Sequence, residues 1–590
     1  MDHKKPLIAL ALLCVAGLSQ AGEKEELLKL RNTTTSLINQ LVKQGILTDK
    51  MAAEMIKQAE TDANQQVAEA KQATPKEAVP ADEVRVAYVP DFVKDQIRQQ
   101  VRSELKEEVV ADVMTKAKAE KWGLPGVLPD WVNRFKLSGD IRLREQSTFM
   151  ASDNTPIGGY YDWPTINGNN GGMFPSAANS EVNTRSDRNQ GRERLRLGID
   201  ANIVSGLDVG VRLATGNISN PISTNQSMGN MGGRYTFNID RAYLRYNAVD
   251  DTKFNWLTLM GGRTPNPFFT GSSELVWDED LSFEGAFGTI RHRLVDSGLS
   301  SAGESKGPTV YATAGIFPLQ ASTGLSTRDK WLVGGQTGLD WGFANQDSLK
   351  LGAAYFDYRN ITAKVDPSIS KGDGTLLTCN AVNNAESLQS VPMFMQSGNT
   401  LVPVCGANGN SSYPGLMGLA SNYEILNFNA LYDLALFSPH HLKFSGDFAK
   451  NLGFNSNNIA RNYSNIYGMT YGGIATAGIL NNPLSNASTI GWQVKAEVGW
   501  PKVDVGGHWN VFSLYKQVGS DAVLDAYTDS DFHQGGASNL GGTNVKGWVV
   551  GGSYGLIKNV WLTGKWLSGD VITGPKYGVD LMQLDLNAHF

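Results

Sequence analysis

The sequence predicts an all-β transmembrane barrel of about sixteen antiparallel, up-and-down strands, with an α-helical N-terminal periplasmic extension. Three observations predict it. The hydrophobic period switches from 3.6 to 2 near residue 134; the connections beyond that point alternate between short and long; and the polar face of the strands is rich in Arg, Lys, Asp and Gly.

Bulk composition agrees. Charged residues make up 19% and Gly counts 64, against about 25% and about 7% in soluble domains, so the chain is charge-poor and Gly-rich. The Gly follows no G-X-Y period, which excludes collagen. A mean hydropathy of −0.26 excludes a polytopic helical membrane protein. The net charge of −6 gives no reason to expect a nucleic-acid partner.

Residues 1-21 read as a signal peptide, with Lys4 and Lys5, an apolar core from Leu7 to Leu18, and Ser19-Gln20-Ala21 as the cleavage site. That core is shorter than the roughly 20 residues that span a bilayer. Cys14 follows Ala11-Leu12-Leu13, with no small residue directly before it as a lipoprotein site would have.

Residues 22-71 read as a helical or coiled-coil periplasmic segment, with Leu27, Leu30, Thr34, Leu37 and Leu41 on a and d positions. Residues 72-90 are a Pro- and Ala-rich linker. Residues 91-133 form an amphipathic helix and connection, striped by Val93, Ile97, Val101, Leu105, Val109 and Val113. Both a self-associating bundle and a monomeric appendage fit these helices, and a periplasmic or cell-wall partner for residues 22-121 is a further reading. Cys379 and Cys405 remain after cleavage, and an even pair in an exported chain reads as one disulfide.

From 134 to 590 the chain alternates. Phe135, Leu137, Ile141 and Leu143 interleave with Lys136, Ser138, Asp140, Arg142 and Arg144. Met582, Leu584, Leu586, Ala588 and Phe590 interleave with Gln583, Asp585, Asn587 and His589. Strands are expected to begin near 135, 192, 207, 237, 255, 284, 308, 330, 348, 423, 441, 489, 503, 545, 559 and 576. Long polar segments follow odd strands, and turns such as Ser205-Gly206, Asn345-Gln346 and Pro501-Lys502 follow even ones. The segment 296–307 is too long for such a turn, and 363–420 and 454–487 have room to hide two further strands. Trp256, Trp331, Trp341, Tyr432, Trp500 and Trp566 near strand ends fit interfacial girdles.

The runs YVPDFVKDQI (88–97), LPDWVNRFKLSGDIRLR (128–144) and VWDEDLSFEG (276–285) resemble the bacterial family called "putative porin". The resemblance spans essentially the whole chain. It implies an outer-membrane pore and carries no catalytic residues.

No enzyme is expected: no catalytic set, no metal-ligand spacing among the seven His, and no cofactor motif emerge. The informative constellation is an Arg-rich wall. Alternation turns Arg142, Arg144, Arg194, Arg196, Arg212, Arg241 and Arg245 toward the lumen, while Glu274, Asp278, Glu279, Asp280 and Glu284 occupy the third long loop and the next strand's start. Arginines facing loop carboxylates set up a field that filters ions. Alternatively the arginines pair with Asp140, Asp200 and Asp240 and merely stiffen the wall.

The leading expectation for function is a passive or weakly selective diffusion channel for small hydrophilic solutes and ions. The alternatives are a structural barrel tethered through its periplasmic helices and a barrel sheathing a multi-protein conduit. Expected surroundings are outer-membrane lipid and lipopolysaccharide, with the chain a homotrimer.

Overall fold

Alternation places the strands, and in the computed structural model it does so with the polar side inward. The structure describes residues 134–156, 161–168, 181–294, 307–322, 328–343, 345–365, 378–379, 382, 384–407, 410–460, 487–534 and 541–590. The chain divides into two units, Met1–Met114 and Thr115–Phe590, and every described residue belongs to the second. The expected signal peptide, helices and linker lie outside the described residues.

Sixteen antiparallel strands close into a barrel. They are β1 (Phe135–Met150), β2 (Arg188–Val204), β3 (Leu207–Ala214), β4 (Asn238–Val249), β5 (Asn255–Pro265), β6 (Ser282–Arg293), β7 (Thr309–Gln320), β8 (Lys330–Gly342), β9 (Ser348–Arg359), β10 (Tyr423–Phe437), β11 (His440–Asn451), β12 (Ile490–Gly499), β13 (Trp509–Val518), β14 (Val545–Ile557), β15 (Val560–Val571) and β16 (Gly578–His589). Each pairs with the next, and β16 returns to β1 from Met150↔Val579 to Asp140↔His589.

In β1, Ile141 and Leu143 are exposed while Arg142, Arg144 and Gln146 are buried; in β16, Met582, Leu584 and Leu586 are exposed while Gln583, Asp585 and Asn587 are buried. A soluble sheet has the opposite arrangement. Apolar side chains facing out and polar ones facing in require hydrocarbon outside. Exposed Trp256, Trp341 and Trp509 gather at the short-turn end, and Trp566 stacks on Phe149 nearer the other end.

At the closing seam the last residue packs over a small one. The backbone N–H of Gly139 donates to the Phe590 carbonyl (3.1 Å), and Phe590 N–H donates back to Gly139 (3.0 Å). A Cβ on Gly139 would stand 2.4 Å from the Phe590 ring, so the terminal ring lies where any larger side chain would clash.

Strand starts match the sequence expectation within a few residues, with one correction. β13 was expected from 503 and begins at Trp509. Pro501 has no N–H to offer a ladder, and Gly507 takes a φ of 86°. The segment instead closes over the neighbouring turn, Gly507 N–H donating to the Gly555 carbonyl (2.9 Å) and Gly555 N–H to that of His508 (2.7 Å). The loop 360–422 holds two ladders, Leu401–Pro403 with Met417–Leu419 and Gly406–Ala407 with Asn410–Pro414; neither joins the barrel. Residues 295–306 and 461–486 lie outside the described residues.

The long loops fold inward. We label those after β5, β9 and β13 as L3 (266–281), L5 (360–422) and L7 (519–544). Phe268, Leu275 and Trp277 of L3 pack with inward Phe283, Phe317, Phe356 and Tyr358 of the wall, forming an apolar core inside the long-loop end of the lumen. A smaller core in L5 surrounds the bonded pair Cys379–Cys405 (Cα–Cα 5.1 Å).

Candidate functional site

The arginine wall follows from register. Because β1 and β2 both place arginines at alternate positions, antiparallel pairing sets Arg142 opposite Arg194, Arg144 opposite Arg192, and Asp140 opposite Arg196. Like charges directly opposite are destabilising, so this wall folds only with anionic partners from elsewhere. Asp140 supplies one, accepting from Arg196 Nε (2.7 Å) and lying 3.0 Å from Arg194. Further round the barrel, Arg212 pairs with Asp240, Arg245 with Asp208 (3.0 Å) and Arg263 with Glu284 (2.6 Å). A register shift against Arg212 and Leu213 turns Asp240 and Arg241 inward together, and Arg241 Nε donates to Ser282 Oγ (3.2 Å). Strict alternation would have sent one of the two to the lipid.

Two loops bring the other partners. Asp280 of L3 lies 3.0 Å from Arg196 and 3.5 Å from Arg194, and accepts from Thr224 Oγ1 (3.0 Å). Burial alone would raise its carboxyl, but Arg194, Arg196 and Arg142 hold it below its ordinary range. Asp278 makes no arginine contact. It accepts from the backbone N–H of Ser530 and of Asp280 (both 2.9 Å), and burial together with the charges of Glu274 and Asp280 pushes its carboxyl well up. Glu274 is likewise raised, by burial and by Asp529. Carboxylate oxygens of Glu274, Asp278 and Asp529 lie within 4.8 Å of one another, where backbone N–H groups and Lys516 serve them.

L7 is the partner that sequence reasoning missed. Asp531 lies 2.6 Å from Arg144, whose Nε also bonds Asp585 (2.7 Å); Arg144 and Arg142 keep the Asp531 carboxyl ionised far below its ordinary value. Gln534 accepts from Gln146 (2.8 Å). L5 in turn holds L7: Asn399 donates to the carbonyls of Ser520 (2.6 Å) and Val523 (2.9 Å), and Thr400 donates to Asp521 through both Oγ1 (2.7 Å) and N (3.0 Å). The inward phase of β16 marks Asp585 from sequence alone, whereas nothing local marks Asp531.

After this pairing Arg142 and Arg192, like Arg241, make no ion pair among the described residues. Arg142 is 7% exposed and donates to Asn225 (2.6 Å); Arg192 is 6% exposed and reaches only Gln190 (3.4 Å) and Gln534 (3.5 Å). Neither has a carboxylate within ion-pair distance among the described residues. Below L3 and L7, on the short-turn side, a cavity of about 800 Å³ is lined by both signs of charge, Arg142, Arg194, Arg196, Lys495 and Lys565 with Glu274, Asp278, Glu279, Glu497, Asp529, Asp531 and Asp585.

The sequence matches the family described as "Putative porin" over residues 31–590. No curated protein sequence matches the chain. Among solved structures, Pseudomonas putida OprB shares 10% identity over 80% of this chain and 97% of its own, with a TM-score of 0.39. The outer membrane channel DcaP of Acinetobacter baumannii shares 10% over 77% and 97%, at 0.35. At these scores the family match alone carries the assignment. A closed sixteen-strand barrel with an apolar outside and a charged lumen agrees with it, and the chain belongs to the "putative porin" family of outer-membrane diffusion channels.

Proposed function

We propose that the channel favours small anionic hydrophilic solutes over cations. The observation that carries this is the pair Arg142 and Arg192, buried in the lumen wall with no carboxylate within ion-pair distance among the described residues. Arg keeps its charge at any physiological pH. At about 0.15 M salt the screening length is about 8 Å, so charges bordering the narrow region set preference while total charge does not. Reversal potentials of the purified protein in planar bilayers under a KCl gradient test this. Chloride preference that falls in the R142Q/R192Q double variant supports the reading; a potassium-selective unaltered channel ends it.

The surrounding organisation belongs to the same proposal. Residues 22-71 and 91-133 lie in the periplasm as helices joined by 72-90, and the barrel associates as a homotrimer in lipid and lipopolysaccharide. Heptad spacing from Leu27 to Leu41 supports a second, helical interface. Native mass spectrometry of the full chain and of one lacking 22–121 separates the two interfaces, and a monomer in both rejects the trimer.

A further inference from the structure

Two carboxylates stand on the outer wall, where lipid would otherwise lie. Alternation gives Glu145 the outward phase of Ile141 and Leu143 on β1, and gives Glu193 that of Leu195 and Ile199 on β2. Register sets Glu145 beside outward Leu584 and Glu193 beside outward Leu143, each leucine 42% exposed. Phe149, exposed and stacked on Trp566, follows Glu145 on the same face of β1 toward the long-loop end. Both carboxylates are therefore within the apolar band. Neither side chain has a hydrogen-bond or ion-pair partner among the described residues. A charge on the lipid face of a barrel is costly in proportion to its depth, and ionisable groups at membrane depth ordinarily face protein.

The loop after β3, L2 (215–237), reaches the same face. It dips inward first, where Ile222 joins the apolar core and Thr224 bonds Asp280. It then returns to the rim, and Gln226 and Ser227 pair with Glu193 and Arg192 of β2. Met228 N–H donates to the Gly191 carbonyl (2.9 Å). Gly191 shares the outward phase of Glu193, and a Cβ there would stand 3.3 Å from Met228 Sδ and 3.9 Å from Glu145 Oε2. The Met228 thioether thus lies over the outer wall next to the carboxylate. Residues 227–234 are all exposed, Met231 completely, and the Arg234 side chain has no partner among the described residues. A protruding loop with an apolar tip and a free cation stands beside a wall with two free anions, and within one chain these charges do not meet.

We propose that this face docks a second copy of the chain, L2 of one protomer laying Met231 and Arg234 against the β1–β2 wall of the next, with Arg234 between Glu145 and Glu193. Loop and wall are different surfaces, so the contact is heterologous, and heterologous contacts that close make rings. The fork of guanidinium donors can serve two carboxylates at once. The inference rests on the homotrimer reading above for the number of copies only; the unpaired charges and the exposed loop stand independently of it.

The test uses the full mature chain, in which Cys379 and Cys405 are already bonded to each other. A chain carrying E193C and a chain carrying R234C are refolded together in lipid and oxidised. A covalent dimer that reduction dissolves is expected from the mixture and not from either chain alone, which excludes a bond within one chain. E145C with R234C repeats the test if E193C does not fold, as judged by heat-modifiable migration on gels. In a second arm, E145Q/E193Q and R234Q each speed dissociation of the oligomer about tenfold or more, the effect of breaking a desolvated charge pair. The exchanged variant E193R/R234E recovers part of that loss, and single-barrel conductance stays unchanged because these groups face outward.

An oligomer that forms no mixed dimer and whose dissociation ignores all three charges overturns this face while the homotrimer reading survives. An unaltered chain that is monomeric in lipid ends both. Monomers that hold lipopolysaccharide through Mg²⁺, released by chelation and by E145Q/E193Q, assign the carboxylates to lipid phosphate and also overturn the proposal.

Discussion

Replacing Asp280 with Asn separates the two acidic residues that the sequence alone treats alike. The Asp280 carboxylate lies 3.0 Å from Arg196 and 3.5 Å from Arg194. At an effective dielectric near 20 those separations correspond to roughly 5 kcal/mol each, and deleting one partner of a buried pair commonly costs about 3–5 kcal/mol. L3 keeps other ties to L7 through Asp278 and Ser530, so the barrel still folds and the lumen gains one net positive charge. An unscreened unit charge about 8 Å from a permeating ion in water contributes on the order of 0.5 kcal/mol, and screening over that distance cuts it to about 0.2 kcal/mol. Acting oppositely on anion and cation, that changes the chloride-to-potassium permeability ratio by between about twofold and sixfold, read as a reversal potential in a KCl gradient. Asp278 touches no arginine among the described residues, and burial with the charges of Glu274 and Asp280 holds its carboxyl up, so replacing it removes less ionised charge than replacing Asp280. Asp278→Asn therefore moves selectivity less. Neutralising Arg194 and Arg196 together shifts the potential toward cations. Identical potentials for D280N and the unaltered channel, or an equal shift from D278N, would sink this account of the constriction.

Other outcomes follow from the same contacts. Cys379 and Cys405 close a segment of 26 residues, a constraint of about 3–4 kcal/mol in the chain-entropy account; reduction speeds hydrogen exchange across residues 384–407 and leaves the barrel's heat-modifiable transition unmoved. In L7 two buried groups oppose each other. Burial raises Asp525 from 3.8 to about 7, so its contribution is complete below about pH 4 and lost as pH rises through 7; burial lowers His533 from 6.5 to about 4, so its contribution is complete above 6.5 and lost as pH falls toward 4. D525N accordingly makes exchange protection of residues 519–534 fall toward acid, and H533Q makes it fall toward neutral pH, both after correction for intrinsic rates. Leu584→Arg on the outward face costs about 2–4 kcal/mol if it lies near the bilayer midplane, measured by denaturant titration in lipid, whereas a cost near zero would place that face away from hydrocarbon.

The barrel was legible because its information is local. Arg142 and Leu143 announce opposite faces by being adjacent, and a loop's length can be counted without knowing where it goes. The same locality explains the inward phase of Arg194, Arg196 and Asp585. It also explains the misplaced β13: Val503 and Val505 alternate correctly, and only the bonds from Gly507 and Gly555 across to a neighbouring turn show that the ladder has not begun. Asp240 beside Arg241 was legible as two lumen residues only through a register shift that alternation cannot express.

What lay beyond the sequence is long-range by nature. Arg144 and Asp531 are 387 positions apart, Asp278 and Ser530 252. Nothing near Asp531 distinguishes it from any solvated loop carboxylate. Yet the need for such a partner was present in the wall itself. Arg144 opposite Arg192 and Arg142 opposite Arg194 put four guanidinium groups on adjacent strands with Asp140 and Asp585 as the carboxylates of the neighbouring wall. Two carboxylates cannot neutralise that set together with Arg196, so the remaining anions had to arrive from loops. L3 and L7 deliver Asp280 and Asp531, which satisfies Arg194, Arg196 and Arg144. With Glu279, 3.9 Å from Arg194, five carboxylates face these five arginines, and Arg142 and Arg192 are the two that none of them reaches within ion-pair distance among the described residues. Asp531 and Asp280 offset part of the Arg142 charge from beyond contact distance, since Arg142 helps to hold both carboxyls down.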